Sequence, residues 1–471
     1  MKHSFSLTCM LLLASAVPDA AKSSPPAAPL GVSWRLDLDV GRPMEPAALC
    51  ETALGFALCG YRTGSLESGE DIYVVHLDAD GRKEWEFTLE NPGQDRLLGL
   101  SATADAGLVT AGWFTPKDKS SRHPMLMRLG PDSQVVWIKV IDEETPGGLE
   151  DALEAKEGSL IAVGYTGEFA DPMPPTLLLV KMAASGEVVW SKTPAPDALQ
   201  GSRIREVAGG YLIAGRALAG SSSKLYVGRT DLEGNLQFEK KLSYAGQLYN
   251  DATDIVVTDS GYVVTGSTIP FVDGTSQSYA LALTADGVIQ WKTYMVSPTC
   301  QETRRFTALR SGGYLVPGCS GSGARITRLD SSGNQGAHLE IQGLCAASAA
   351  IESRDGDLII AARCGHPNQE AIVIFRVTGE RPFRRGEVNL DGVIDISDAI
   401  SILLWLFGPG GMPPCPDALD ANDDAKVDIS DAISLLSFQF IGTPAPPEPF
   451  ASKGMDPTPD LLGCREDLVG P

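Results

Sequence analysis

One pattern recurs along the chain as FALCG (56–60), LVTAG (108–112), LIAVG (160–164), YLIAG (211–215) and YVVTG (262–266). It is a short apolar strand that ends in glycine, and YLVPG (314–318) and LIIAA (358–362) continue the series. The last residues of the seven stretches are spaced by 52, 52, 51, 51, 52 and 44 residues. This near-constant period predicts a repeat architecture over residues 31–380.

A second apolar strand, a tight turn and an aromatic residue follow each of the first five stretches. The aromatic residues are Trp85, Trp137, Trp190, Phe238 and Trp291. In four units a glycine stands four residues earlier, at Gly81, Gly186, Gly234 and Gly287. Glycine supplies the positive φ of a tight hairpin, and the aromatic side chain then packs on the following strand. Four short strands per unit predict the blade of a β-propeller, so the expected fold class is all-β with seven blades.

The strand, Asp-Gly turn and tryptophan pattern resembles that of bacterial repeat propellers of the quinoprotein-dehydrogenase-like type. The resemblance implies the fold and no particular chemistry. Cofactor enzymes of that type use a vicinal disulfide, and this sequence has no Cys-Cys pair. The departure argues against dehydrogenase activity.

The seventh unit stops at IVIFRVTGE (371–379) without its aromatic strand, and VSWRL (32–36) precedes the first unit. Trp34 lies 51 residues before Trp85, which is one repeat length. We therefore expect the N-terminal strand to complete the last blade and remove an open sheet edge. A solenoid is the alternative, but it would not need complementary half-units at its two ends.

The N-terminus predicts export. Lys2 and His3 precede the apolar run FSLTCMLLLASAV, and Ala14-Ser15-Ala16 is a cleavage site of the A-x-A type, so residues 1–16 are expected to be a signal peptide and residues 17–30 disordered. A membrane anchor is the alternative, but the run is shorter than the roughly 20 residues of a spanning helix. A secreted, cell-surface or periplasmic bacterial protein is expected. The net charge of −22 disfavours nucleic acid as a partner.

Removal of Cys9 leaves eight cysteines, an even number that favours disulfides in an oxidising compartment. Two pairs share a spacing of 19 residues, which suggests the same bridge in neighbouring units. The expected bridges are Cys50–Cys59, Cys300–Cys319, Cys345–Cys364 and Cys415–Cys464. Cys300–Cys345 with Cys319–Cys364 is the alternative scheme across adjacent units.

The loops after the glycine-ended strands are long, so a ligand is expected on the face that carries them. Tyr61, Trp113 and Tyr165 directly follow the glycine in three consecutive blades. They are candidates for a platform that binds a glycan or a peptide. Aromatic packing between the blades is the alternative.

No catalytic residue is predicted. Asp95, Asp151 and Asp254 lie near the starts of the first strands of their blades, where paired carboxylates would serve a hydrolase or lyase, but nothing singles out a pair. The histidines, among them His76 and His123, show no metal-ligand spacing and are expected on the surface or in loops.

The segment DISDAIS occurs at 395–401 and again at 428–434, at the end of two similar acidic stretches. A calcium loop takes oxygen ligands from positions 1, 3, 5, 7, 9 and 12, with a backbone carbonyl at position 7. The corresponding residues are Glu387, Asn389, Asp391, Val393, Asp395 and Asp398, then Asp420, Asn422, Asp424, Lys426, Asp428 and Asp431. The pattern predicts two Ca²⁺ sites, each followed by a helix; two acidic turns without metal are the alternative.

These two units resemble a dockerin, which implies a small helical calcium domain over residues 387–471 with a Pro-rich tail, after a linker at 381–386. The resemblance implies a cohesin-type partner that is contacted through loop positions 10 and 11, here Ile396, Ser397, Ile429 and Ser430. The identical residues in the two loops imply that the partner can dock in two orientations; a recent duplication without selection for binding is the alternative.

The sequence departs from the dockerin pattern twice. Glu387 replaces the usual first Asp, and Ala425 replaces the sixth-position glycine, so weakened calcium binding is expected in both loops.

The sequence therefore favours an exported, non-catalytic binding or display protein that is tethered by a dockerin-like module. A carbohydrate-active enzyme with a dockerin is the main alternative. A purely structural surface protein, which has no small ligand, is the third reading.

Overall fold

The computed structural model describes residues 32–464 except 39–43, 64–68, 92, 117–120, 143, 169–173, 220–221, 244–246, 271–276, 296–304, 311, 321–322, 343, 367–368, 378–381, 409–414, 455, 459–461 and 463. The predicted signal peptide and the segment 17–30 lie outside the described residues, so both stay predictions.

The described strands form seven four-stranded antiparallel sheets, which are the blades. Blades 1 to 3 contain β2 (Met44–Glu51), β3 (Gly55–Thr63), β4 (Glu70–Asp78), β5 (Lys83–Leu89); β6 (Arg96–Ala102), β7 (Leu108–Phe114), β8 (His123–Leu129), β9 (Val135–Val140); and β10 (Gly147–Glu154), β11 (Leu160–Thr166), β12 (Thr176–Met182), β13 (Val188–Lys192). Blades 4 and 5 contain β14 (Ala198–Val207), β15 (Gly210–Ala219), β16 (Ser222–Asp231), β17 (Leu236–Leu242); and β18 (Gln247–Thr258), β19 (Gly261–Pro270), β20 (Gln277–Thr284), β21 (Ile289–Met295). Blades 6 and 7 contain β22 (Thr307–Ala308), β23 (Tyr314–Ser320), β24 (Gly323–Leu329), β25 (Gln335–Gln342); and β26 (Ala346–Glu352), β27 (Leu358–His366), β28 (Gln369–Val377), β1 (Val32–Leu38).

The N-terminal strand closes the ring, as predicted. Strand β1 is the outermost strand of blade 7 and pairs antiparallel with β28, with Arg35 opposite Phe375 and Leu38 opposite Ile372. Blade 7 therefore has four strands, although the end of the repeat region supplies only three of them, β26, β27 and β28. The seven-bladed prediction is confirmed.

Apolar side chains from neighbouring blades pack together because the middle strands are apolar on both faces. One such core joins blade 7 to blade 1 and includes Leu38, Met44, Leu58, Ile359 and Ile374. Equivalent cores follow at the other blade boundaries.

The aromatic residue of one blade covers the turn glycine of the next. A Cβ added to Gly186 would lie 2.9 Å from the Trp137 ring, and one added to Gly81 would lie 2.3 Å from the Trp34 ring. Both glycines also have positive φ, +88° and +79°. Only glycine fits these turns, for reasons of backbone conformation and of space. Trp34 thus seals the closing boundary between blades 7 and 1.

A bulge interrupts the innermost strand of most blades. The register shifts between Pro46 and Ala48 in β2, and equivalent shifts occur in β6, β10, β14, β18 and β26. A bulge inserts one extra residue into the strand and changes the direction in which its side chain points. The extra residues of blades 1 to 5 line the channel mouth: Ala47, Leu98, Glu150, Ser202 and Thr253.

The C-terminal domain contains α1 (Ile396–Phe407), α2 (Pro416–Leu419) and α3 (Ile429–Ile441). Asp395 and Asp428 begin α1 and α3 with matching capping boxes. The two long helices pack through a core that includes Ala399, Ile402, Ala432 and Leu435.

Two residues of the predicted linker, 381–386, are buried in the C-terminal domain. Phe383 is buried against Cys415, Ala418 and Cys464, and Arg385 is fully buried. Burial of an aromatic ring and a paired guanidinium makes these residues part of the C-terminal domain.

Two of the four predicted disulfides have a clear outcome. The bridge Cys415–Cys464 is present. Cys50 and Cys59 are thiols, so that prediction is wrong: the strand register places Cys59 opposite Ala48 and Cys50 opposite Ala57. Burial raises the pKa of both thiols to about 12.

The other two bridges are described in part. Cys319 is in a disulfide, but Cys300 lies outside the described residues, so that pairing stays a prediction. Cys345 carries a thiol, so the predicted bridge to Cys364 is not shown. The side chain of Cys364 lies outside the described residues.

In the described part of the chain, no helix has the length and apolar character needed to cross a membrane.

Candidate functional site

A cavity of about 310 Å³ opens at the mouth of the central channel, on the face that carries the long loops. We call it the channel-mouth cavity. Its walls come from blades 1 to 5 and consist of Ala47, Tyr61, Arg96, Leu98, Glu150, Gln200, Ser202, Arg203, Arg216, Asp251, Ala252, Thr253 and Ser267. A cavity that combines apolar lining with convergent polar groups is the default place to look for a ligand.

A belt of hydrogen bonds and an ion pair runs along the wall from blade 3 to blade 5. Gln200 Nε2 donates to Glu150 Oε1 at 2.6 Å, and Arg216 Nη2 donates to Gln200 Oε1 at 3.1 Å. Arg216 then pairs with Asp251 at 3.6 Å, which accepts a hydrogen bond from Ser223. We call Glu150, Gln200, Arg216 and Asp251 the polar belt. Because each member holds the next, the belt is preorganised.

The three predicted platform aromatics do not form an exposed platform. Trp113 and Tyr165 are each only 5% exposed, whereas Tyr61 lines the channel-mouth cavity. The Arg96 guanidinium lies 4.2 Å from the Tyr61 ring centroid and 5.6 Å from that of Trp113. Arg96 is also held by both carboxylate oxygens of Glu70. Trp113 is also covered by the Arg122 guanidinium, 4.9 Å from its ring centroid. With Trp113 and Tyr165 buried, Tyr61 is the most accessible of the three rings, although Arg96 covers part of it.

Asp151 and Asp254 directly follow the lining residues Glu150 and Thr253 in the chain and are buried in a network of arginines. Arg205 bridges them, at 3.1 Å from Asp151 and 2.8 Å from Asp254. Asp151 also accepts from the backbone of Ile204, and Asp254 from the backbone of Phe306, each in the next blade. These carboxylates link neighbouring blades, because their hydrogen bonds and ion pairs are made with groups of the protein. They are therefore not placed as a catalytic pair.

Asp95 is fully buried and accepts a hydrogen bond from the backbone of Thr115 at 2.8 Å. Burial raises the pKa of Asp95 to about 6. Its bond fixes the loop after β7, which is a structural role.

His76 and His123 are buried, against the expectation of surface positions. His76 Nε2 lies 2.9 Å from Thr52 Oγ1, and its Nδ1 lies 2.9 Å from Glu84. The spacing is that of a nucleophile, a base and an orienting acid. However, Thr52 is only 2% exposed, and other blades place Arg128 or Lys181 opposite the same tryptophan position. The array is therefore a structural link within blade 1, and burial lowers the pKa of His76.

The two acidic loops of the C-terminal domain have matching internal hydrogen bonds. Asp398 Oδ2 accepts from the Asp395 backbone at 2.8 Å, and Asp431 Oδ2 accepts from the Asp428 backbone at 2.8 Å. Asn389 donates to Ser397 Oγ at 2.6 Å, and Asn422 donates to Ser430 Oγ at 2.8 Å. The duplicated sequence thus gives a duplicated loop conformation.

The sixth loop positions have left-handed backbone. Gly392 has φ +87° and Ala425 has φ +64°. An added Cβ at Gly392 would meet no atom within 4 Å, so the cost at Ala425 lies in the backbone conformation itself. Ala425 is thus strained in its backbone, and weakened calcium binding at this loop stays a prediction.

Carboxylates crowd together in the second loop. Burial, followed by the nearby charges of Asp420 and Asp424, raises the pKa of Asp431 to about 7. Such crowding suits a cation. No three carboxylate, imidazole or thiol groups of the described residues form a metal cluster by themselves, and a calcium loop also needs amide and backbone oxygens. The donors of both loops are oxygens of these kinds.

The helices after the loops expose apolar side chains: Ile396, Ile400, Leu404 and Phe407 on α1, and Ile429, Ile433, Phe440 and Ile441 on α3. We call these the α1 face and the α3 face. Three pairs stand at equivalent positions of the duplicated units, whereas Leu404 and Ile441 have no apolar counterpart. Ile396 and Ile429 are about half exposed, and their role in contacting a partner stays a prediction. The hydroxyls of Ser397 and Ser430 bond instead to Asp395 and Asp428.

The fold and these sites define a seven-bladed β-propeller followed by a small helical domain with two acidic loops. No family model matches the chain, and no curated protein matches it. Similar solved structures include a streptogramin B lyase at 12% identity and a TM-score of 0.47, covering 73% of this chain and 97% of that chain. Virginiamycin B lyase from Staphylococcus aureus has 12% identity, a TM-score of 0.43, and coverage of 73% and 99%. The Neurospora crassa Pan2 WD40 domain has 10% identity, a TM-score of 0.45, and coverage of 71% and 89%. At these identities the similarity concerns the fold alone, and the propeller assignment rests on the strand pairing.

Proposed function

We propose that the protein is an exported, non-catalytic binding protein. Its propeller offers the channel-mouth cavity to a ligand. Its C-terminal domain is a dockerin-like tether that binds two Ca²⁺ ions and attaches the protein to a cohesin-type partner. The observation that carries the proposal is the pair of equivalent acidic loops, each followed by a helix with an exposed apolar face.

In each loop, carboxylates, an asparagine amide and a backbone carbonyl would hold the ion. Asp398 and Asp431 are proposed to close the two sites, because each lies on the first turn of its helix and points back at the loop. A bound cation supplies positive charge that offsets the repulsion among these carboxylates. The loops and helices would then hold one conformation.

Ala425→Gly is expected to strengthen calcium binding at the second loop about fivefold, since it relieves about 1 kcal/mol of left-handed strain. Gly392→Ala is the mirror experiment and should weaken the first loop by a similar factor. Calorimetric titration of the full chain with Ca²⁺ measures both. Equal affinity of Ala425→Gly and the unaltered protein would count against strain at this residue.

The tether itself is tested by Asp398→Asn and Asp431→Asn, which conserve shape and remove charge. Each single variant is expected to lose one of two calcium-binding events, and the double variant both. Asp132→Asn, at an exposed propeller turn, is the control and should retain both events. Retention of two events in the double variant would sink the calcium assignment.

Partner binding is tested with purified cohesin modules on a sensor surface, with calcium or with chelator. Binding is expected only with calcium. Ile400→Asp on the α1 face or Ile433→Asp on the α3 face should each leave one docking orientation, whereas the double variant should lose binding by at least a hundredfold. Calcium-independent binding, or an unaffected double variant, would contradict the proposal.

Export is supported by the Cys415–Cys464 bridge, since disulfides persist in oxidising compartments. For the alternative of a carbohydrate-active enzyme, Asp151 and Asp254 offer no support because both are held by Arg205.

A further inference from the structure

We infer that the channel-mouth cavity binds a neutral sugar unit of one or two rings. The inference rests on the proposed function, because it names the ligand class of the same propeller platform. Four features of the cavity carry it: charge balance, the polar belt, one accessible aromatic ring and size.

The charges around the cavity balance. The described lining holds three arginines, Arg96, Arg203 and Arg216, and two carboxylates, Glu150 and Asp251. With the described charged groups joined to them through ion pairs, five arginines are matched by five carboxylates, the added groups being Arg205, Arg305, Glu70, Asp151 and Asp254. Arg96 is clamped by Glu70, and Arg216 lies beside Asp251. An anion would have to displace a carboxylate from a guanidinium, and a cation would have to displace the guanidinium. A neutral ligand meets neither cost.

The polar belt presents donors and acceptors in alternation around one wall. Glu150 and Asp251 carry acceptor oxygens, Arg216 carries donors, and the Gln200 amide carries both. Ser202, Thr253 and Ser267 add hydroxyls, which donate and accept, on the same lining. Sugar hydroxyls also donate and accept at each position, so they match such a wall better than a phosphate or a carboxylate, which only accepts.

Blades 1 and 2 give the cavity most of its apolar lining, beside the Arg96 guanidinium. Tyr61 lines the cavity, and the Arg96 guanidinium on one face of its ring holds the ring in place. Leu98, Ala47 and Ala252 complete the apolar lining. A ligand with one polar edge and one C–H face satisfies both kinds of lining, and a sugar ring has this amphipathic form.

The cavity volume of about 310 Å³ sets the size. It lies at the lower end of the roughly 300–1,000 Å³ of ligand pockets. One or two sugar rings can be enclosed, and a longer chain would extend out of the mouth.

The test uses the full chain and saturation-transfer NMR followed by calorimetric titration. The neutral probes are glucose, galactose, mannose, xylose, cellobiose and lactose. Glucuronate, inorganic phosphate and a tetra-alanine peptide are the comparison probes. At least one neutral probe is expected to bind, with glucuronate and phosphate at least tenfold weaker.

Gln200→Leu and Tyr61→Leu are expected to weaken sugar binding at least tenfold. Gln237→Leu changes an exposed glutamine on the outer strand β17 and should have no effect. Tyr61→Phe keeps the aromatic ring and should retain binding within threefold. Comparison with Tyr61→Leu therefore shows whether binding depends on the ring. Full binding in Gln200→Leu would overturn the inference.

The outcomes also separate this inference from the proposed function. Tighter binding of glucuronate, phosphate or the peptide, sensitive to Gln200→Leu, overturns the sugar assignment and leaves the propeller as a binding platform. Binding of no probe overturns both the sugar assignment and the role of the cavity as platform. Neither outcome alters the calcium and cohesin tests of the tether.

Discussion

A chain that starts at residue 39 is expected to lose at least 5 kcal/mol of propeller stability relative to a chain that starts at residue 32, on the scale of a large core truncation. The difference between them is strand β1. Without it, β28 becomes an open edge, Trp34 no longer covers Gly81, and the core between blades 7 and 1 loses Leu38. Urea unfolding followed by circular dichroism measures the difference.

The chain that starts at residue 32 is the matched control, because it removes the preceding residues and keeps β1. Its stability should equal that of the longer chain. The shortened chain should also aggregate more readily through the exposed β28 edge.

A synthetic peptide of residues 31–40 should restore stability to the shortened chain, and the same peptide with Trp34→Ala should restore less, by about 3 kcal/mol. If chains starting at 32 and at 39 unfold at the same urea concentration, β1 does not close the ring.

The propeller could be predicted because its signals are local and repeat. A turn glycine such as Gly186 needs positive φ within its own hairpin, and the strands around it are continuously apolar. Trp34 could be assigned to blade 7 because it stands one repeat before Trp85. Periodicity therefore carried information about a contact between the two ends of the repeat region.

The channel-mouth cavity could not be predicted in the same way. The bulge that aims Glu150 at the axis leaves no mark in the sequence, and the belt from Glu150 through Gln200 to Arg216 joins different blades. The three predicted aromatics do not form one exposed platform because Trp113 and Tyr165 are buried and only Tyr61 lines the cavity. Contacts between blades depend on register, and register is set by the whole ring.

The buried Arg385 was also missed, because the stretch RPFRRG has the composition of a basic linker. Its partner Asp456 lies 71 residues away in a Pro-rich tail. Nothing in the local sequence distinguishes Arg385 from Arg384, which bonds to backbone carbonyls and is only half-buried.

Arg385→Met is expected to destabilise the C-terminal domain by about 3–5 kcal/mol, the cost of removing one partner from a buried ion pair. The Arg385 guanidinium lies 2.8 Å from Asp456 and 2.9 Å from Asp423, and it donates to the Asp420 carbonyl at 2.7 Å. Methionine fills a similar volume, but it leaves both carboxylates without their cation. The arginine thus joins the tail to the first turn of the second acidic loop.

Hydrogen exchange of the full chain measures this effect where it arises. Amides of α3 should lose protection by at least a hundredfold in Arg385→Met, since each 1.4 kcal/mol is a factor of ten. Amides of the propeller strands should be unchanged. Arg385→Met and its control variant are compared with calcium present, because Arg385 also donates to the carbonyl of Asp420, a proposed calcium ligand.

Arg384→Met is the matched control, one residue away and with the same change of side chain. It removes hydrogen bonds to the carbonyls of Phe450 and Gly392, which solvent can partly replace, so a loss of about 1 kcal/mol is expected. Equal protection of α3 in the two variants would contradict a structural role for the buried guanidinium. A far larger loss in Arg385→Met shows that the residue predicted as linker is part of the domain core and holds the second loop in place.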